Sequence, residues 1–359
     1  TGILRELAVN RVLDLLPSPS AAELDSAFLA GAEELHRFGV TGICDQRMKD
    51  RDDGPRALAG FARCNRRGQL KLRVSCNIAA HNLALLEALG VTSNLGDERL
   101  RLGHVKIFCD GTLGSRTARM LEPFVGQSDH GIYLTPIEQI REEVERAVEL
   151  GFPVSIHAIG DEAVRQCLDI LAEVQASGVE SPVLPHRIEH VQTLDDQDVG
   201  RLKELGVVAS MQPGHVLDDM DTADAHLADR ARLVYRFGSL AEHETAMAFG
   251  SDAPVSSYSP FYGLHGAVRR QRLERPELGP WQGQEAISLE QALFAYTLGA
   301  ARASGWERLT GSLARGKRAD LVVLDRDLFD LKAGEDLANT RVLATYFDGE
   351  VVYQASDRV

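Results

Sequence analysis

The chain carries little that would suit it to a membrane or a nucleic acid. No apolar run approaches the roughly 18 residues that a spanning helix needs, so nothing is expected to cross a bilayer. Basic residues are in the minority, with 39 Lys and Arg against 53 Asp and Glu and a net charge of −14. Such a chain repels a phosphate backbone, which argues against a nucleic-acid partner. Five cysteines, at positions 44, 64, 76, 109 and 167, are odd in number and lack CxxC spacing. That pattern predicts buried, reduced thiols in a cytoplasmic protein. The opening TGILRELAVN has no signal-peptide pattern. No internal repeat or low-complexity tract is present, and Gly160-Asp161 lacks the flanking glycines of a phosphate loop.

What the chain does have is a series of short apolar runs that end abruptly in a polar residue. With 359 residues and 44% hydrophobic content it can bury one large core and a smaller second unit. Helix and strand signals alternate, which favours an α/β fold over separate α and β blocks. Strands are predicted at 40–46, 72–78, 103–111, 153–161, 186–192, 206–213 and 247–255. Between them, Ser20 caps a helical pattern that runs to Arg37 and stops at Gly39. Thr135-Pro136, Asp161 and Ser288 open further helices. The stretch 254–287 is long and rich in Pro, Gly and aromatics, and is expected to cover a substrate.

Four metal-ligating residue types stand at the ends of these runs: Lys106, His157, His190 and Asp252. Their separations of 51, 33 and 62 residues match barrel units of roughly 30 residues. A (β/α) barrel gathers side chains at the rim formed by its strand C-termini. The expected architecture is therefore a (β/α)8 TIM-like barrel over residues 1–307. Only seven of its strands can be read; the first belongs before residue 40, where helix and turn signals stand instead. The chain is accordingly expected to be part of a longer polypeptide. Strand patterning at 312–325 and 341–354, with a hairpin turn at Asp348-Gly349, predicts that 308–359 form part of a small β-sandwich.

Alternation in GHVKIFCDG puts His104, Lys106 and Phe108 on one face of a strand. Burial of Lys106 would depress its pKa and favour the neutral amine; an ion pair with Asp110 is the plain alternative. Two histidines one barrel unit apart suit a divalent metal such as Zn²⁺. Asp252 is otherwise a turn cap before Pro254. Arg116 is a candidate to hold a substrate carboxylate or carbonyl, and His215 to contact the substrate. Glu189 is expected to point away from His190 and pair with Arg187 or a helix, and Asp161 to cap the helix that follows it.

The strings VKIFCDGTLGSRTA, IHAIGDEAV, RIEHVQ, SMQPGH, GSDAPV and ADLVVLD, in that order, resemble the metal-dependent amidohydrolase superfamily. The resemblance extends over nearly the whole chain and is nearest to the branch of N-substituted formamide deformylases. It implies a β-sandwich on both sides of the barrel and hydrolysis of a C–N bond in an amide, formamide or cyclic amide. One or two Zn²⁺ or similar ions would be held by His157, His190, Asp252 and a carboxylated Lys106. Asp252 would also be the general base, and His215 would help polarise the carbonyl. The superfamily carries an HxH pair on the first barrel strand, and no HxH occurs here. Two other readings stay open: a non-catalytic remnant of the fold, and a lactonase- or phosphotriesterase-like hydrolase on the same metal site. The partner expected is a small amide-type molecule, with a homodimer as the default assembly.

Overall fold

A computed structural model describes Leu4, Ala8, Asn10–Leu13 and residues 15–46, 53–331 and 336–356. Seven strands among the described residues make up the main sheet: β1 (Gly42–Asp45), β2 (Arg73–Ala79), β3 (Leu100–Phe108), β4 (Val154–Ala158), β5 (Arg187–His190), β6 (Val208–Met211) and β7 (Met247–Phe249). They pair in chain order, each parallel to the next, in a curled sheet whose edges are β1 and β7. This is the α/β barrel-like architecture that the apolar runs predict. The strands are shorter than those runs. Asp252, for one, lies three residues beyond the last paired residue of β7.

Side-chain alternation divides the sheet into two surfaces. Val105, Ile107, Val154, Ile156 and Ile188 are buried in the main core. That core also takes in residues of the helices Ile137–Glu149 and Asp161–Ala176, such as Ile140, Val144, Val164 and Leu168. Full burial of an aliphatic side chain of this size contributes about 1.5–3 kcal/mol. The alternate residues Lys106, His157, Arg187, Glu189 and Ser210 line a cavity at the centre of the barrel sheet. Register aligns the functional ends: Phe108 is opposite His157, and Ala158 is opposite His190.

The helix stops and starts follow local chemistry. Ser20 accepts from the Glu23 amide while Glu23 reaches back to the Ser20 amide, and Ser288 and Gln291 repeat this arrangement. Gly39, at φ +78°, ends the helix Ala21–Arg37, with Gly39 N–H donating to His36 O and Val40 N–H to Leu35 O. The stretch 254–287 folds around the helix Pro260–Val268, with proline in its first turn, and two short 3₁₀ turns. Among the described residues, no helix is long and apolar enough to cross a membrane.

Three antiparallel strands form a second sheet, β8 (Leu321–Leu324), β9 (Val342–Phe347) and β10 (Glu350–Gln354), in the order β10-β9-β8. The turn between β9 and β10 has positive φ at both Asp348 and Gly349, as the right-handed twist of a hairpin favours. The expected strand at 312–325 is confined to its last part, because Lys317 N–H bonds to Ala314 O in a turn and Gly316 stands at φ +91°.

This sheet is tied to the barrel by charge. Arg73, 2% exposed at the start of β2, meets Asp320 through Nε–Oδ2 at 2.8 Å and Nη2–Oδ1 at 3.1 Å. It also meets the Asp348 carboxylate, and Arg99 approaches Asp348 at 3.1 Å. Removing one partner of such a buried pair leaves the other charge desolvated. We expect Arg73→Met to lower stability by about 3–5 kcal/mol in urea titrations, and Arg73→Met with Asp320→Leu to recover much of that loss. A double variant as unstable as the single one would show that packing, not the stranded carboxylate, dominates.

Candidate metal centre

The site is built where three strands end. At the end of β5 the backbone turns sharply: His190 and Val191 have φ values of +77° and +45°. A left-handed conformation is unfavourable for side chains with a Cβ, and most of all for β-branched valine. The turn is locked by Val191 N–H to Ala158 O, Thr193 N–H to Ile159 O and Tyr235 N–H to Gln192 O. Its effect is that Glu189, His190 and Gln192 all line the same cavity. Simple alternation would send Glu189 and His190 to opposite sides. Glu189 does pair with Arg187, as expected, with Arg187 Nε 3.0 Å from Oε1.

The His190 ring packs edge-on to His157, centroids 4.5 Å apart, and stacks at 6.2 Å on His215. His215 is the second residue of the helix Gly214–Leu227, not the end of a strand. Its Nε2 is 4.0 Å from Asp252 Oδ2. One ligating atom each from His190, His215 and Asp252 lie within 4.8 Å of one another. Lys106, 4% exposed, lines the same cavity, with its Nζ 4.6 Å from the Phe108 ring centre.

Hydrogen bonds fix which imidazole atoms are free. His157 Nε2 lies 3.1 Å from Gly111 O, so it donates there and Nδ1 keeps its lone pair. His190 Nδ1 lies 2.7 Å from Gln212 Oε1, so Nδ1 donates and Nε2 keeps its lone pair. Two lone pairs of neutral imidazoles and the Asp252 carboxylate are donors a Zn²⁺-like ion accepts. The donor set therefore fits a divalent metal.

The protonation states agree. Burial, reinforced by Lys106, pushes His157 down to about 3. Burial, with His157 and Lys106 beside it, holds His190 well below its ordinary value. Burial also takes the Lys106 amine down to about 8, against the opposing pull of Glu189 and Asp252. The Asp252 carboxyl is raised by burial to about 6, although Lys106 draws it back.

Asp110 was not singled out as a site residue from sequence, yet it organises the rim. Its carboxylate accepts from the amides of Ile159, Gly160 and Arg119 at 2.8–3.0 Å. It thereby joins the loop after β3 to the loop after β4, and stands 3.6 Å from His157 Nε2. Asp110 is thus committed to these amides, not to Lys106. Asp161 accepts from the Glu162 and Leu121 amides at the start of its helix. Arg116 sits in a turn of the loop after β3 at φ +56°, its N–H donating to Leu113 O, outside the cavity lining. The neighbouring Arg119 is paired with Glu162.

The cavity measures about 1850 Å³. It runs from the rim helix, through Phe261 and Tyr262, past the imidazoles, and on to residues of both β1 and β7. Its size exceeds the few hundred to 1,000 Å³ of an ordinary ligand pocket because it continues between those two edge strands.

A parallel barrel sheet with imidazoles and a carboxylate gathered at its strand C-termini is the scaffold of a metal-binding (β/α)-barrel protein. Residues 1–353 match the amidohydrolase family, and the chain belongs to that family. It is 37% identical over 259 residues to Protein LONG AFTER FAR-RED 3 of Arabidopsis thaliana, covering 71% of this chain and 44% of that one. With the N-substituted formamide deformylase of Arthrobacter pascens it shares 30% identity, over 71% of this chain and 46% of the enzyme. The crystal structure of an uncharacterized metal-dependent hydrolase from Pyrococcus furiosus superposes with a TM-score of 0.76 at 30% identity, covering 89% of this chain and 64% of that one. The chain thus spans about half the length of these two curated relatives.

These protonation states give a distinctive pH dependence. Burial favours the neutral form of both imidazoles, so on the acid side Asp252, near 6, is the ligand that competes for protons. In bicarbonate-free buffer, log K for Zn²⁺ is expected to fall below about pH 6 with a slope of about one proton per ion. Competition with a chromophoric chelator measures this. A slope of two or more would mean that the imidazoles titrate near their usual 6.5.

Proposed function

We propose that the protein is a metal-dependent hydrolase that cleaves the C–N bond of a small amide-type substrate. The observation that carries this reading is the convergence of His190, His215 and Asp252 within 4.8 Å, with the His157 ring packed against His190. His157, His190, Asp252 and Lys106 would hold the ion, and Zn²⁺ suits these donors. A divalent ion bound there lowers the pKa of a water to around 7 and polarises a carbonyl.

The chain's own groups supply the rest. Asp252, at about 6, is ionised at neutral pH yet basic enough to take a proton from the attacking water. It then delivers that proton to the leaving nitrogen, without which an amine anion would have to depart. His215, buried with Nε2 facing the carboxylate of Asp252, is placed to hold the carbonyl oxygen as negative charge develops on it. Lys106, with its amine near 8, is partly neutral at pH 7.5 and can add to carbon dioxide. The amine lone pair forms a C–N bond as one C=O π bond of carbon dioxide opens onto oxygen, one N–H proton passes to solvent, and the neutral amine becomes a carbamate anion. That anion would supply an oxygen ligand where the ammonium form would repel a cation.

The relationship to the formamide deformylase favours N-formyl amines as first substrates, followed by acyl amino acids, lactones and phosphotriesters. Asp252→Asn is expected to weaken Zn²⁺ binding and, with Zn²⁺ supplied to saturation, still to lower kcat on the best substrate by about 10²- to 10⁴-fold. His190→Ala is expected to lose metal and activity together. Elemental analysis beside steady-state kinetics on the panel reads both. A lactone or phosphotriester turned over in preference to every amide would replace the C–N reading. Folded, Zn²⁺-supplied protein that binds no metal and turns over nothing would establish a non-catalytic member of the family.

A further inference from the structure

Two glutamines contact the two stacked histidines through opposite ends of their amides. Gln212 presents its carbonyl oxygen to His190 Nδ1 at 2.7 Å. Gln192 presents its nitrogen to His215 Nδ1 at 3.3 Å. In this orientation of the Gln192 amide its nitrogen donates, so His215 Nδ1 accepts and the ring proton resides on Nε2. The opposite orientation would instead use Gln192 Oε1, which has no hydrogen-bond partner among the described residues. We propose that Gln192 is a positioning residue that holds His215 as an Nε2–H donor aimed into the cavity, while Gln212 holds His190 in the opposite tautomer as a metal ligand.

Three observations carry this beyond the hydrogen bonds themselves. His215 Nε2 is buried and has no hydrogen-bond partner among the described residues, so its N–H is unspent. The nearest acidic oxygen, Asp252 Oδ2, is 4.0 Å away, close enough to favour an N–H over a bare lone pair at that position. Gln192 reaches His215 only because the backbone passes through left-handed conformations at His190 and Val191. The fold keeps that strained turn in place, and the turn puts a ligand and the partner of a donor two residues apart. Two imidazoles of the same chemistry are thereby given different tasks without any change in net charge. His190 offers a lone pair, and His215 offers a proton to a carbonyl oxygen.

The catalytic meaning of that proton rests on the hydrolytic reading above, but the tautomers do not. They can be read on metal-free protein without substrate, from two-bond ¹H–¹⁵N spectra of ¹⁵N-histidine-labelled material near pH 7.5. Resonances are assigned by their loss in His190→Ala and His215→Ala. The expected result is an Nε2–H pattern for His215 and an Nδ1–H pattern for His190. In Gln192→Met only His215 should move toward a mixture of tautomers, and in Gln212→Met only His190. Zn²⁺ affinity should fall about 10- to 100-fold in Gln212→Met, which unfixes a ligand, and stay within about threefold in Gln192→Met. An Nδ1–H pattern for His215 in the wild type would overturn the proposal. So would a loss of Zn²⁺ affinity in Gln192→Met equal to that in Gln212→Met, since His215 would then be a ligand. Protein that hydrolyses nothing yet shows the two opposite tautomers would fail the functional reading and leave this one standing.

Discussion

The structure turns on a charge buried inside the barrel sheet. Glu189 and Arg187 both project from β5 into the interior, where neither meets bulk water. Burial acts to raise the Glu189 carboxyl, yet Arg187 and Lys106 outweigh it and hold it below its ordinary value. Polar residues from four other strands or strand ends complete the layer. Ser155 donates to Glu189 at 2.6 Å and Gln46 at 3.3 Å, Arg187 reaches Ser210 at 2.7 Å, and Asn77 braces Gln46 at 3.0 Å. A buried pair is tolerable only when its remaining hydrogen-bond capacity is used in this way. The Glu189 carboxylate, on the cavity side of this pair, lies among the groups that matter above it. It supports the cationic form of Lys106 and disfavours ionisation of Asp252. The centre is thus tuned from below, by a carboxylate that alternation alone would direct away from His190.

Much of this was legible from local pattern. The β-branched runs located all seven strands, Ser20 and Ser288 marked helix starts through capping chemistry, and Asp348-Gly349 marked the hairpin. Lys106, His157, His190 and Asp252 were each visible as polar residues ending apolar runs, His215 as a histidine just past one, and all line one cavity. What pattern could not convey was direction at the strand ends. Positive φ at His190, Val191 and Asp252 breaks the period-two rule where it matters most, so Glu189 and His190 share a side that alternation denies them. Gln192 and Gln212 stood inside recognised strings without a role, because their contacts span about twenty residues and depend on that turn. Arg116 was attractive for its charge and loop position alone. Nothing in its neighbours revealed a left-handed turn outside the cavity lining.

Loop order around the site has an equally compact origin. Three amides from two loops converge on Asp110, which is buried and pushed up to about 7 by desolvation while those N–H groups pull it down. Across the rim, the helix Pro260–Val268 packs on the helix Gly214–Leu227. Tyr262 of the first helix, and Ser256 in the loop before it, both donate to Asp218 of the second. The loops after β3 and β4 are therefore held by one carboxylate, and the covering element after β7 by another. The His157 side of the rim is thus joined by buried hydrogen bonds and the opposite side by exposed ones, the weaker kind in water.

The ion pairs of Arg73 carry a consequence for the order in which the molecule is made. Arg73 lies on the second strand, but its carboxylate partners stand 247 and 275 residues further along. At translation rates of about 5–20 residues per second, the first of them is synthesised on the order of ten to fifty seconds later. Throughout that interval the early strands hold a guanidinium that cannot be buried without large cost. Until those carboxylates are made, burying the start of β2 would leave the guanidinium with only a backbone carbonyl, Glu98 O, as partner. The C-terminal sheet acts as a late latch: its arrival supplies the counter-charges and lets the start of β2 leave water.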